Sequence, residues 1–470
     1  MKRTMDTIPA IPHDDALPQL AQALDPDAMQ AAFEASVFGA DARCRVRACQ
    51  LERIRYKPGK KCLVCYRLQI DDAIGQGTRE QLITVRLYQA GGSHSRFARA
   101  GRETLVAPKF GRPLTHLPDL DMVAWSFPND RKLKGLPRLA DPAYLRAELL
   151  SPLVARHVGA NWRIAALTHE LAHYNPEHTC TVRVELQLEH NQTGERQSCV
   201  LYGKTYYDDE GAKTYEVMRQ LWEQQHGAPG GLRIPQPLDY DPKLRLLWQE
   251  GLPGQTLTAI EMESSDFPVW LERAAVAVAA LHQARVACNR SASLDASVAK
   301  LKEMREWLPS VRPSCRPLLE PLVDHLVAHA AFLGEQPNVL LHGDLHSQNF
   351  LLVGQEVALI DLDDATCGSP WQDIAGFIAS LLHRGLTLWA PGAVLANAVA
   401  VFLRSYKQNA PWRIAPQNLN WFVATYLIIQ RVAGCVTRLK DGHFDLIDAL
   451  VALAAQVSDR GARLPDDENS

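Results

Sequence analysis

The chain is 470 residues long, enough for two or three structural units around a large core. Its 47% hydrophobic and 22% charged residues are ordinary for a soluble globular protein. A net charge of −3 supplies no global field for nucleic acid or an anionic membrane, so neither is expected as a partner.

The opening stretch, MKRTMDTIPAIPHDD, lacks the apolar core of a signal peptide. Ten cysteines are scattered singly, apart from Cys62 and Cys65. That pair lies in an alternating strand pattern, where residues three apart point to opposite faces, which argues against a metal or redox pair. Free cysteines without a framework fit a reducing compartment, so a cytoplasmic location is expected.

From Tyr56 to Ile70 the sequence YKPGKKCLVCYRLQI reads as a Pro-containing turn leading into a strand. It can be laid on YNPEHTCTVRVELQL, Tyr174 to Leu188, with six of fifteen positions identical at an offset of 118 residues. At the same offset Val85-Arg86-Leu87-Tyr88 falls on Gly203-Lys204-Thr205-Tyr206. The chain therefore contains an internal duplication. Each copy is predicted to run strand, turn, strand, loop, strand, helix and a further strand pair. Asp141 to Val158 is predicted to be the connecting helix.

The second copy opens with THELAHYNPEHT, which contains the H-E-x-x-H zinc-hydrolase pattern at His169, Glu170 and His173. That chemistry needs both histidines on one face of a helix. Here the segment runs into the repeated turn and an alternating strand. Residues four apart on a strand are about 13 Å apart, too far for one zinc ion. A zinc hydrolase is kept only as a distant alternative.

Lys204 is predicted on a strand, and Asp208 to Leu221 reads as a helix carrying Glu216. Apolar Leu244 to Glu250 reads as a strand before Gly251-Leu252-Pro253-Gly254. ERAAVAVAALH, residues 272–282, reads as a core helix. The strongest signal follows, in HGDLHSQNFLL (342–352) and VALIDLD (357–363). Asp344 precedes Asn349 by five residues, and twelve residues later an apolar strand ends in Asp361. Phosphoryl transfer needs this set: one carboxylate to orient and deprotonate a hydroxyl, and a carboxylate with an amide oxygen to hold magnesium.

HGDLHSQNFLL, LIDLDDA and PWQDIAGF together resemble the aminoglycoside phosphotransferase and choline kinase-like family over roughly residues 168–440. The resemblance implies an α+β, protein-kinase-like bilobal fold, with a mixed-sheet nucleotide lobe and a mostly helical C-terminal lobe. It implies ATP and Mg²⁺ as cofactors, Asp344 as catalytic base, Asn349 and Asp361 as metal ligands, and a second-metal role for Asp363. Asp373 would brace the catalytic loop. Lys204 paired with Glu216 would hold nucleotide phosphates, and Glu250 with Leu252 would form the hinge that reads the base.

The expected domains are a cap at 1–150, a nucleotide lobe at 151–258, a helical catalytic lobe at 259–460 and a disordered tail at 461–470. The first copy has Arg86 in place of the lysine. It reads as a degenerate nucleotide lobe, a possible homodimer surface, whose removal should leave a folded core. The turn over the phosphates is basic in the first copy (Lys57, Lys60, Lys61) and not in the second (Asn175, Glu177, His178). From Trp371 to Lys440 one acid, Asp373, stands against seven bases. That balance favours a neutral or anionic sugar-like acceptor over a polycationic aminoglycoside. Arg431 and Arg438, seven apart on a predicted helix, are the candidates to face it. A kinase-like nucleotide-binding module without transfer activity is the alternative.

Overall fold

A computed structural model describes residues 12–39, 44–72, 77–225, 232–288, 290–413 and 415–459. The expected tail at 461–470 lies outside them. Contacts divide the chain into two compact units. The first comprises Met1–Ala212, Leu238–Gly251 and Thr437–Lys440; the second holds Lys213–Pro237, Leu252–Val436 and Asp441–Ser470.

The first unit contains two five-stranded sheets. One is built from β1 (Cys44–Lys57), β2 (Lys61–Asp72), β3 (Gly77–Leu87), β4 (Leu114–Leu117) and β5 (Met122–Ser126), in the order β1-β2-β3-β5-β4. The other is built from β6 (Trp162–Asn175), β7 (Thr179–His190), β8 (Arg196–Tyr206), β9 (Pro237–Asp241) and β10 (Leu246–Glu250), in the order β6-β7-β8-β10-β9. The two orders are the same. The register repeats as well: Tyr56 faces Cys62 as Tyr174 faces Cys180, and Arg86 faces Leu63 as Lys204 faces Thr181. A bulge between Val46 and Ala48 recurs between Ile164 and Ala166. A second bulge sits two residues further along in the later copy. The β6–β7, β7–β8 and β8–β10 pairings are antiparallel, where a mixed sheet was expected. Short turns join β6 to β7 and β7 to β8, whereas the chain reaches β10 from β8 through the helix Glu210–Gln225 and β9.

Alternation explains which face is buried. On β7, Val182, Val184, Leu186 and Leu188 point inward and Glu185 and Gln187 outward, in a strict period of two. The inward set packs with Trp248, Leu246 and, from the connecting helix, Leu145, Leu150 and Leu153. That helix runs from Pro142 to His157 with one π turn, and Asp141 caps it by accepting from the Ala143 and Tyr144 amides.

The sheets are not separate domains. Cys65, Leu82, Leu133 and Leu136 of the first copy form one cluster with Tyr174 and Cys180 of the second. Tyr174 donates its hydroxyl to Asp130 (2.7 Å), and the Glu177 amide donates to the same carboxylate (2.9 Å). The expected boundary at residue 150 therefore cuts a shared core, and the alignment alone does not show this because the linking residues are unlike in the two copies.

The second unit is mostly helical. Ala-rich Asp266–Gln283 buries Phe267, Leu271, Ala275, Val278 and Leu281 along one face. Phe350 packs edge to face on Phe377 and Phe402 packs tilted against it, with centroids 5.1 Å and 4.5 Å apart, all fully buried. Each contributes about 2–3 kcal/mol of burial. The helical stretch Pro416–Arg438 is long and apolar enough to cross a membrane by composition, and 67% of its apolar window is buried inside the protein. Trp421 on it donates to the Leu326 carbonyl (2.7 Å).

Candidate active site

The H-E-x-x-H segment falls on β6, as expected of an extended stretch. His169 lies opposite Val184 and His173 opposite Thr181, and His173 contacts Arg53 of the first copy at 3.5 Å. Among the described residues, the group close enough to share a metal ion is elsewhere: His383, Cys435 and His443. The zinc-hydrolase reading is set aside.

In the second unit the loop after strand Val339–Leu341 is held by one buried carboxylate. Asp373, only 2% exposed at the start of helix Pro370–Leu388, accepts from the His342 amide (2.6 Å) and the Gly343 amide (2.9 Å). His282 Nε2 lies 3.1 Å from it, and His282 Nδ1 is 2.7 Å from the Tyr406 hydroxyl. The His342 ring donates through Nε2 to the Ile360 carbonyl (2.9 Å), tying the loop to the following strand. Burial works against ionisation of Asp373, but the His282 contact and the backbone donors outweigh it and hold the carboxyl below its ordinary range. Gly343 sits at φ 86°, and a Cβ there would lie 2.0 Å from the Asp364 carbonyl oxygen. Only glycine fits.

This bracing fixes Asp344. Its Oδ2 is 3.5 Å from His346 Nε2. Burial pushes its carboxyl up, yet the His346 contact and the positive potential of His346, Arg431 and His342 bring it well below the usual carboxylate range. Asn349 is buried and donates its amide nitrogen to the Asp344 carbonyl (2.9 Å), which leaves its amide oxygen as the atom that could accept a further contact. Strands Phe350–Val353 and Glu356–Leu359 pair antiparallel, and the chain then reaches Asp361 in the left-handed region at φ 63°. Such backbone in a non-glycine residue marks a constrained position.

Asp364, to which the sequence reading assigned no role, belongs to the same group. Desolvation and then the negative charges of Asp344, Asp363 and Asp361 raise its carboxyl above its ordinary range. The signal was present in the run Asp361-Leu-Asp363-Asp364. Arg290 donates to the Asp363 carbonyl (2.6 Å), which holds the run in place.

The remaining residues fall in different places. Lys204 lies on β8, half-buried, opposite Thr181 and Leu247, with its ammonium 5.6 Å from the Tyr206 ring centroid. Glu216 is on helix Glu210–Gln225, where Arg219 (2.8 Å) and Gln220 (2.7 Å) donate to its carboxylate. Glu250 ends β10 opposite Leu201, and the Gly251 amide donates to the Val200 carbonyl (2.8 Å). Leu252 begins the stretch assigned to the second unit. Arg431 donates to Gln430 and acts electrostatically on Asp344. Arg438 is exposed and belongs to the first unit, where Arg53 and Lys440 are its charged neighbours. The π turn at Leu427–Val432, which contains Arg431, breaks the 3.6-residue period on which their shared face was expected.

A carboxylate group so arranged, beside an amide oxygen on a braced loop, suits a hard cation and phosphate chemistry. Residues 200–412 match the phosphotransferase enzyme family. The matched segment spans Lys204, Glu216, Asp344, Asn349 and Asp361, and stops short of Arg431. Among solved structures, a thermostable mutant of aminoglycoside phosphotransferase APH(4)-Ia is 16% identical, covering 66% of this chain and 99% of its own, with a TM-score of 0.44. A choline/ethanolamine kinase family protein from Mesorhizobium loti is 13% identical, covering 69% and 93%, with a TM-score of 0.45. The GDP and kanamycin complex of APH(2")-IIia is 14% identical, covering 67% and 99%, with a TM-score of 0.41. Among curated proteins none matches this sequence.

Proposed function

We propose that the chain is an ATP- and Mg²⁺-dependent phosphotransferase that acts on a hydroxyl of a small, neutral or anionic, sugar-like metabolite. The observation that carries this reading is the loop braced by Asp373, which presents Asp344 and Asn349 with Asp361 and Asp363 following on the next turn.

The donor set fits a divalent cation. Asp364 is raised by burial and then by three neighbouring carboxylates, so positive charge placed among them relieves repulsion that the protein otherwise carries. Asn349, Asp361 and Asp363 would hold the ion, which when bound supplies charge neutralisation for the transferring phosphoryl group. Asp344, held as a carboxylate, orients the acceptor hydroxyl and takes its proton. A carboxylate of such low basicity orients more than it abstracts, which suits a loose transition state in which the nucleophile keeps its proton until late. Lys204 is assigned to the nucleotide phosphates, with Glu216 as its helix partner, and Glu250 and Leu252 to the base. Arg431, whose positive potential reaches Asp344, favours an acceptor that is not cationic.

The test is Mg²⁺-dependent ADP release by the purified protein across pools of sugars, amino alcohols and aminoglycosides, with Asp344→Asn as control. Release with a sugar pool that the variant lacks supports the reading. Release with an aminoglycoside pool overturns the acceptor class, and ATP binding with no turnover on any pool or metabolite extract favours a nucleotide-binding module.

A further inference from the structure

The first copy carries a cavity that the proposed reaction does not use. It has a volume of about 520 Å³ and lies between the β1–β2 turn, the end of β3 and the helix Gly92–Ala98. Five cations line it: Lys60, Lys61, Arg86, Arg96 and Arg131. A second cavity of about 250 Å³ shares Tyr88, Arg96 and Arg131 with it and adds Arg99 and Lys134. The acid facing Arg86 and Arg131 is Glu177, which contacts both. Asp130, on the smaller cavity, is committed to Tyr174 and to the Glu177, Lys132 and Leu133 amides. Among the described residues Lys60, Lys61 and Arg96 have no carboxylate within ion-pair distance. Several unneutralised cations around one concave surface make a local field that whole-chain net charge conceals.

We infer that this cleft is a binding site for a small anion bearing phosphate groups, distinct from the site proposed for phosphoryl transfer. Two cations from a tight turn, one from a helix end and two arginines in a cleft with room for a small molecule match the donors that phosphate oxygens need. Burial, then the charges of Arg86 and Lys57, hold the Lys61 ammonium below the ordinary lysine range. An arriving anion would compete with Glu177 for Arg86 and Arg131. Occupancy is thereby coupled to the turn between β6 and β7.

The test is calorimetric titration of the full chain with inorganic pyrophosphate, repeated with ADP and with a sugar phosphate, in the wild type and three variants. Asp361→Asn, altered in the proposed metal site, is expected to bind pyrophosphate as the wild type does. Lys61→Ala combined with Arg96→Ala is expected to weaken binding at least about tenfold, since two charge-assisted contacts are lost. Glu177→Gln, which removes the competing carboxylate, is expected to tighten it. Neither Lys61 nor Arg96 supports the fold through an ion pair, so the double variant remains folded. ADP or the sugar phosphate binding more tightly than pyrophosphate, with the same dependence on Lys61 and Arg96, supports the site and identifies the source of the phosphate. Pyrophosphate that fails to bind, or binding lost in Asp361→Asn and unchanged in the double variant, overturns the inference.

Discussion

Arg86 and Glu177 form an ion pair across the two copies, Nη1 to Oε2, at 2.6 Å. Arg86 occupies the position that Lys204 holds in the second copy, and Glu177 sits at the tip of the second copy's turn. Arg131 completes the clamp, its Nε 2.6 Å from Oε1 and its Nη2 2.8 Å from Oε2. The acidic turn is therefore a docked element, and its carboxylate has a structural use. Burial raises the Glu177 carboxyl, but the two guanidiniums prevail and hold it below its ordinary range.

Replacing Glu177 with alanine leaves two guanidiniums facing each other in a half-buried site. The expected loss is about 2–4 kcal/mol, reduced from a fully buried pair because Arg131 is partly exposed. The sign with pH follows from the lowered carboxyl. Its stabilisation is fully present above the unfolded glutamate value of about 4.3 and is lost as pH falls through the lower folded value. Urea denaturation of wild type and Glu177→Ala at pH 7 and pH 3 checks this. A difference that persists undiminished at pH 3 would refute the charge argument.

Deleting residues 1–150 removes Cys65, Leu82, Leu133 and Leu136 from around Tyr174 and Cys180, and takes away both guanidiniums of the clamp. The expected product is insoluble or lacks cooperative unfolding, contrary to the separable cap that the alignment suggested. Expression of 151–470 with circular dichroism and a thermal melt decides it. A soluble product with a sharp transition would show that the second sheet needs no support.

Asp373→Asn keeps the shape of the brace but turns one acceptor oxygen into a donor that faces a backbone N–H. The catalytic loop then loses the His342 or Gly343 contact. A fall in kcat of about a hundredfold or more is expected, with KM for ATP little changed, because positioning and not nucleotide contact is lost. Equal losses in both parameters would point to general unfolding of the loop.

Asp361→Asn and Asp364→Asn should separate metal binding from charge crowding. Mg²⁺ is expected to raise the thermal midpoint of the wild type and to leave Asp361→Asn unmoved, by linkage to a site present only in the folded state. Asp364→Asn should unfold at a higher temperature than wild type without metal, because it removes a carboxyl that burial first and then its neighbours' charges raise. Differential scanning fluorimetry with Mg²⁺ or a chelator reads both effects. A destabilised Asp364→Asn would show that Asp364 has a contact worth more than the repulsion.

The repeat and the HGDLHSQN loop were legible because both are local in sequence. A period-two pattern and an offset of 118 residues fix strands and register, and Asp344, Asn349 and Asp361 lie within 18 consecutive residues. The clamp was not legible. Arg86 and Glu177 are 91 residues apart, and nothing in either neighbourhood says that they meet. The π turn at Leu427–Val432 escaped for a different reason, since a single such turn is invisible to periodicity. Asp364 escaped because its meaning lies in the three carboxylates around it rather than in its own position.

The order of the sheets along the chain also sets an order in time. Synthesis from the N-terminus completes the first sheet at Ser126 and delivers Arg131 before Glu177 exists, whereas the second sheet cannot close until Glu250. The nascent first copy can thus present a finished receptor to which the turn at Glu177 docks as it emerges, with β9 and β10 still to come. In this arrangement the first copy, with both guanidiniums in place, is complete before the turn that it clamps has been made.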